Sequence, residues 1–591
     1  MPRLSPTLKT AFALAAVLAA PLLILYFINQ YAVNVPYIDE WSFTRVIYAY
    51  RQKQLTFGMF LEPHNGHVIA FPRLAMLGLA VIARRWNIIA ELYANVVLCL
   101  TCVFAWWAIL RPHTRPSVAA GAAILCSWLI FSLIHALNWF MGFQITWVMA
   151  FACGVFAIIA LNAGGRMAFA AACALAFVGS FSMGGGLLIW VIGFGMLLFL
   201  RRGKRLIVWL ALAALSVALF LRFTNGGQSM AGLGAIPKIA EFVAVMLGAP
   251  FGVSWGVTTS QGIGMAGLAA FALLLFVVMR SGLARPAWMP WAAFGALAIL
   301  QATLTAVGRV EKSGSRIALS SHYALFGLLF WVGLVGLFAL WFNLRTRASA
   351  FKKPLWLMAF PLAALFAFGY IQSSLRGYGD LVFMNSRAVL AQTYILADAA
   401  SIPTDVLQNV HWSVDLARVN IAQLRQVNES VFGTANAQAA ALKVLQAAQH
   451  SADAAAAIGD TSTSLPAARI AIFENAPGAT VSADGALNFQ RVIGQVPVFD
   501  VDVAPLTSGA MPAYLVVEAR RAGVMDIYPD TGQGFSEKTG AENMQPAQTG
   551  AFGARFAAPI PPGARRVRVA LHYLAGSPQD EAVRFVLVER R

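Results

Sequence analysis

Along the first 376 residues the chain alternates long apolar runs with short polar ones. A membrane-crossing helix needs ~20 mostly apolar residues. Runs of that length occur near 10–31, 89–110, 117–136, 144–162, 167–183, 184–200, 205–223, 262–280, 287–308, 318–342 and 355–374, so the pattern predicts a polytopic α-helical membrane protein with about eleven transmembrane helices. Residues 10–31 are long for a signal peptide and no small-residue cleavage site follows them, so they count as the first span. Two segments break the pattern. Residues 68–83 are short and carry Pro72 and Arg73, and residues 238–256 open with Lys238 and Glu241 and contain Gly248-Ala249-Pro250. Both are expected to be helices lying on, or dipping into, the outer membrane interface.

From about residue 377 the long runs stop. Residues 381–457 carry Ala, Gln and Leu at helical spacing, most clearly over Val406–Leu424 and Ala435–Ala448. Beyond Leu465-Pro466, short alternating stretches at Arg469–Phe473, Ala513–Glu518, Val567–Tyr573 and Val583–Val588 are separated by Gly, Pro and Asp, which predicts a β-sandwich. The expected organisation is a transmembrane domain over 1–376, a helical connector over 377–464 and a β-sandwich domain over 465–591.

Composition and charge add direction to this picture. The chain is 59% hydrophobic and 12% charged, with a mean hydropathy of +0.68, too apolar for one soluble globule. Its net charge of +18 resides in the apolar part: residues 1–376 hold 27 Lys and Arg against 6 Asp and Glu, and the remainder holds 16 against 19. Cations in short loops set membrane orientation, so a nucleic-acid partner is not expected. Placing Arg3 and Lys9 in the cytoplasm puts Arg111–Arg115, Arg166, Arg201–Arg205, Arg280–Arg285 and Arg345–Lys353 on the same side. Residues 32–88, 137–143, 182–186, 224–261, 309–317 and everything after Arg376 then face outward. All five cysteines fall inside apolar runs, which indicates neither a disulfide framework nor a thiolate metal site.

The outward loops hold the chemistry-bearing residues. Three of the six early acids, Asp39, Glu40 and Glu62, lie in the first outer loop, and Glu62 opens Glu62-Pro63-His64-Asn65-Gly66-His67. Transfer of a sugar to a hydroxyl needs a carboxylate base near the acceptor, with cations or hydrogen-bond donors around the departing phosphate. Asp39 or Glu40 suits the first role, and His64, His67 and Arg73 part of the second, although a wetted loop and a snorkelling arginine are the plainer alternatives. A second group, Arg309, Lys312 and Arg316, puts three cations in eight residues on the side where few are expected. Arg316, Ser320 and Tyr323 fall at i, i+4 and i+7, one face of a continuing helix, and so form a candidate anion clamp. A third group, Asn138, Trp139 and Gln144, pairs amides with an aromatic ring as sugar recognition does, and interfacial anchoring would explain the Trp alone. Ser182-Met183-Gly184-Gly185-Gly186 is expected to be a plain hairpin between spans.

In this layout the first ~380 residues resemble the GT-C superfamily of polyprenyl-phosphate-sugar-dependent glycosyltransferases, which includes the protein mannosyltransferases and the lipid A aminoarabinose transferase. Those enzymes carry an acidic motif soon after the first span, where Asp39-Glu40 stands here, followed by interfacial helices. Glu62 through His67 with Phe71-Pro72-Arg73-Leu74 also resembles a His-Asn-x-His…Phe-Pro-Arg signature of less characterised bacterial members. The resemblance implies a GT-C-like fold in the bacterial inner membrane with a periplasmic active site. Asp39 would be the base, and Glu40 or Glu62 would assist or hold the divalent cation (Mg or Mn) that some members use. It also implies a polyprenyl-phosphate sugar donor whose phosphate meets Lys312, Arg316 or His322, a glycan or lipid acceptor contacted near Asn65, and inversion at the sugar carbon. His322-Tyr323 departs from the Arg-Tyr of many relatives at that span. Two other classes compete: a glycan polymerase or ligase using a lipid pyrophosphate-linked oligosaccharide, and a transporter or flippase. The early acidic loop argues against the first. Against the second stand the lack of acids at span centres, Glu91 near a span start being the marginal case, and the lack of an inverted repeat.

Overall fold

The computed structural model describes residues 5–224, 232–347 and 354–397, and residues 407–433 except 409 and 412. Further on it describes 463–464, 470–474, 479–482, 486–490, 497–503, 512–519, 522–530, 554–560, 564–573 and 580–589. The helix expected over Ala435–Ala448 and most of the basic loop after Arg347 lie outside these residues. The chain divides into two compact units, 1–434 and 435–591.

The first unit is helical. Its helices are α1 (Pro6–Tyr31), α2 (Thr44–Arg51), α3 (Gly58–Leu61), α4 (Ala70–Ile82), α5 (Ile88–Leu110), α6 (Pro116–Ile130), α7 (Ala136–Phe140), α8 (Ile145–Ala163), α9 (Arg166–Ser180) and α10 (Leu188–Phe199). They continue with α11 (Gly203–Thr224), α12 (Ile236–Gly252), α13 (Val257–Arg280), α14 (Arg285–Ser313), α15 (Ala324–Arg347), α16 (Pro354–Ala397) and α17 (Val414–Val427). Among the described residues nine helical stretches, from Thr7–Tyr31 to Ser321–Thr346, are long and apolar enough to cross a membrane. The protein is therefore a multi-pass membrane protein, with most buried side chains facing other helices and with Leu273 and Phe276 of α13 exposed.

Three expectations change. The runs at 167–183 and 184–200 form helices below spanning length, Arg166–Ser180 and Gly184–Phe199, because Ser182 through Gly186 leaves the helical path between them. The segment at 238–256 is long and apolar enough to span, as Ile236–Trp255. Gly248-Ala249-Pro250 does not break it, since a side chain at Gly248 would run into the Ser260 backbone of α13, so the glycine serves close helix packing. Both ends of α12 nevertheless return to one end of the bundle. Near its start Gly232 donates to the Glu311 carboxylate at 3.3 Å, and just past its end Ser254 donates to Gln372 O at 2.9 Å. The third change is the boundary expected at 376/377, which falls inside the continuous helix α16, so the chain cannot divide there.

Residues 407–433 belong with the first unit because they hold down the loop between α1 and α4. Ile38 N–H and the Trp41 indole both donate to Val410 O, at 2.7 and 3.0 Å. Ser430 donates to Asn34 O at 3.1 Å, and Glu429 pairs with Arg51 and accepts from Trp86 N. α4, at 13 residues, is ~20 Å long and too short to span.

In the second unit, one antiparallel sheet pairs Ala554–Pro559 with Pro512–Ala519, which pairs with Asp580–Glu589, then Leu487–Gln490, then Thr480–Val481. The other runs Ile470–Glu474, Val498–Asp502, Arg566–Tyr573, Ala522–Asp530. Phe489, Leu515, Val517 and Phe585 of the first meet Phe499, Val501, Val567 and Val569 of the second in one apolar core. That is the expected sandwich, with alternate positions inward.

Candidate active site

The loop after α1 turns sharply after Tyr37. Ile38 sits at φ 48°, a left-handed backbone that a β-branched residue adopts only at a cost of ~1–3 kcal/mol. Its amide is held by Val410 O, and the Glu40 carboxylate accepts from Tyr37 N at 2.6 Å, so both sides of the strained residue are pinned. The turn sends Asp39 and Glu40 to different environments. Asp39 Oδ1 lies 3.4 Å from His64 Nε2, and the Asp39 side chain is 30% exposed. Glu40 is buried at 1% exposure, and its other oxygen accepts from the amides of Gly142 and Phe143. Burial pushes the Glu40 carboxyl up to about 8 against those amide donors. It is a staple between loop and bundle, and the expected catalytic role fails because nothing outside can reach it.

Asn65-Gly66 forms a tight turn, at φ 48° and 78°, between two short strands, β1 (Pro63–His64) and β2 (His67–Val68). Asn-Gly supplies the two left-handed positions that such a hairpin demands. His64 and His67 are directly opposed partners and share a face. His64 rests on the Phe143 ring, 4.8 Å between centroids, and contacts the Asn65 amide at 3.1 Å. His67 is packed against Gly184, where a side chain would collide with its ring. Burial, with Arg309 and His64 nearby, pushes His67 down to about 4, so near neutral pH it is an uncharged imidazole.

The helix expected to continue through Arg316 and Tyr323 does not exist. α14 runs to Ser313 and ends at Gly314 at φ 64°, two 3-10 turns (Ser315–Leu319 and Ser321–Tyr323) follow around an extended Ser320, and α15 starts at Ala324. The three-residue clamp is therefore replaced by Arg309, carried on α14, beside the Tyr323 hydroxyl and within electrostatic reach of His67 and His322. Lys312 and Arg316 are exposed and line neither cavity. His322 is held by Ser320 Oγ at 3.1 Å and the Trp147 ring at 5.5 Å, and feels the Asp39 charge.

A cavity of about 1080 Å³ opens at this cluster. Its long wall is apolar, with Leu188, Val191 and Phe194 of α10 and Leu210, Val217 and Leu221 of α11. Its polar end is His67, Gln301, Arg309 and Tyr323, with Gly184 and Gly185 between. The glycine turn is thus a cavity wall, a correction to the plain hairpin. A side chain at Gly185 would strike Gln301, whose buried Oε1 has no partner. Gln301, a lone amide in an apolar run, and Trp147 were missed in the sequence, and only the first had a signal there.

Other candidates are structural. Arg73 is buried and donates to three carbonyls, Met59 O at 3.1 Å, Phe60 O at 3.2 Å and Glu62 O at 2.5 Å, which moulds the approach to the hairpin and occupies it away from any phosphate. Glu62 pairs with exposed Arg45 at 2.9 Å. Asn138 donates to His322 O at 3.2 Å and Trp139 to Ser132 O at 3.0 Å, both fully buried, and Gln144 turns onto Met141, so none faces a sugar. Glu62 is paired with Arg45 and Asp39 with His64, and among the described residues no three His, Cys, Asp or Glu side chains gather as metal ligands.

Fold and site together define a multi-pass membrane protein with an apolar, helix-walled cavity closed at one end by imidazole, guanidinium and phenol. No known family model matches the sequence, and no curated protein matches it. Among solved structures the chain is similar to the cryo-EM structure of the arabinosyltransferase EmbB from Mycobacterium smegmatis, at 14% identity and a TM-score of 0.33. The match covers 100% of this chain and 65% of that one, so the chain spans just under two thirds of that protein's length.

Proposed function

We propose that this protein is a membrane glycosyltransferase that takes a sugar from a polyprenyl-phosphate donor and passes it to a glycan or lipid acceptor on the periplasmic face of a bacterial inner membrane. The observation that carries this reading is the cavity: a long apolar wall suited to an isoprenoid chain leads to a polar end suited to one phosphate. Asp39 takes the proton of the acceptor hydroxyl as its oxygen forms a bond to the anomeric carbon. The bond from that carbon to the phosphate oxygen breaks, and the electron pair leaves with polyprenyl phosphate. Single displacement inverts the sugar carbon. Arg309 balances the growing phosphate charge, with the Tyr323 hydroxyl and neutral His67 as further donors. His64 fixes the Asp39 carboxylate.

The test uses purified full-length protein in nanodiscs with radiolabelled polyprenyl-phosphate sugars. Wild type is expected to release free polyprenyl phosphate in the presence of membrane acceptors. Asp39→Asn is expected to lose ~10²–10⁴-fold of that rate, the usual weight of a general base. Full activity in the variant would remove Asp39 from the mechanism.

A further inference from the structure

A second cavity, of about 270 Å³, lies on the other side of the Ser320–Tyr323 segment. Ser320 and Ser321 line it, while Tyr323, two residues on, lines the large one. Opposite stand Ser373, Arg376 and Asp380 of α16, with Leu137 as part of the apolar wall.

The polar groups here are not all spent. Ser373 is 1% exposed, and its Oγ has no hydrogen-bond partner; a buried hydroxyl left this way calls for a partner. Ser321, by contrast, donates to Ile134 O and accepts from Leu137 N, and so serves the fold. Arg376 spends one donor on Val253 O at 2.8 Å, and a guanidinium has five. Asp380 lies one turn further along the same helix, so the two formal charges cancel. Hydroxyl, cation and anion around a small apolar wall match the alternating donors, acceptors and C–H faces of a sugar ring. The volume, near the lower edge of the ~300–1,000 Å³ range of small-molecule sites, suits one ring. Ser320 Oγ, 3.1 Å from His322 Nδ1, links this cavity to the cluster that contains Asp39.

We propose that the small cavity binds the terminal sugar ring of a neutral glycan acceptor and presents one hydroxyl past Ser320 and His322 to Asp39. The direction of that hydroxyl rests on the sugar-transfer reading, whereas ring binding does not.

The experiment uses full-length protein in nanodiscs and two probes. Methyl glucoside, methyl mannoside and methyl galactoside are titrated by saturation-transfer difference NMR, and undecaprenyl phosphate by tryptophan quenching. At least one glycoside is expected to bind wild type. Ser373→Leu, which fills the cavity, is expected to weaken that binding ~10-fold or more. Asp380→Asn, at an exposed position of α16, is expected to weaken it ~3- to 10-fold. Both should keep undecaprenyl phosphate affinity unchanged, and Arg309→Gln should show the reverse pattern. Absence of glycoside binding at millimolar concentration, or equal binding by wild type and Asp380→Asn, overturns the proposal. Glycoside binding that responds to both variants while undecaprenyl phosphate fails to bind keeps this site and overturns the lipid-donor reading instead.

Discussion

Asp39 and Glu40 are chain neighbours, and the regions they enter could hardly differ more. Around Asp39 the polar groups are imidazoles, His64 at 3.4 Å and His322 within electrostatic reach, and the Asp39 carboxylate is 30% exposed. Around Glu40 they are the amides of Tyr37, Gly142 and Phe143, all used, with the buried Glu91 carboxylate against the same glycine. Glu91 in turn accepts from the Trp86 indole at 2.8 Å. One region keeps its hydrogen-bonding free for a ligand, and the other has turned it into structure. Carboxylates adjacent in sequence thus part because they are consecutive positions of the 3-10 turn Ile38–Phe43, where successive side chains point about 120° apart.

The largest effect that separates the two regions is a double dissociation. Asp39→Asn is expected to abolish sugar transfer with an unchanged melting temperature. Glu40→Gln should retain the chemistry but lower the melting temperature, because its NH2 cannot accept from the backbone N–H that one carboxyl oxygen accepts from now. Scanning fluorimetry and donor turnover read both, and loss of transfer without loss of stability in Glu40→Gln would erase the distinction.

Next in size is Arg309→Gln, expected to weaken polyprenyl phosphate binding ~10- to 100-fold, the weight of a charged hydrogen bond. A titration with undecaprenyl phosphate checks it. A smaller effect lies in pH. The Glu40 carboxyl is raised from 4.5 to about 8 in the folded protein, so the folded state holds a proton that the unfolded state releases. Its contribution to stability is present in full below pH ~4.5 and is lost as pH rises through about 8. Melting temperature measured across that window should fall with pH in wild type and fall less in Glu40→Gln. The smallest expectation is the most discriminating for the old anion clamp. Lys312→Ala and Arg316→Ala, both exposed, should each shift stability by less than ~0.5 kcal/mol and leave lipid binding as it was.

Much of the architecture was legible along the chain. Twenty-residue apolar runs leave few alternatives in a bilayer, and the strands at 512–519, 566–573 and 580–589 followed from alternation and turn residues. The candidate site was legible in part. Scarce acids and clustered cations pointed to Asp39, His64, His67 and Arg309, but Arg73, Asn138, Trp139 and Gln144 carry the same signature of polar groups near aromatic rings and are consumed by the fold. Residue type and position relative to a span do not say whether a side chain faces a carbonyl or a cavity. The helical-face argument for Arg316 and Tyr323 failed because Gly314 and Ser320 leave the helix, which periodicity does not register.

What the chain determined by itself was local: where helices are apolar enough to cross, where Asn65-Gly66 must turn, and in which loops between apolar runs charge collects, since these depend on composition and on backbone sterics within a few residues. Which of those charges remain available was decided only in three dimensions. Val410, Gly142 and Gly184 come from distant parts of the chain, and it is their approach to Ile38, Glu40 and His67 that buries Glu40, leaves Asp39 partly exposed and shapes the cavity wall beside His67.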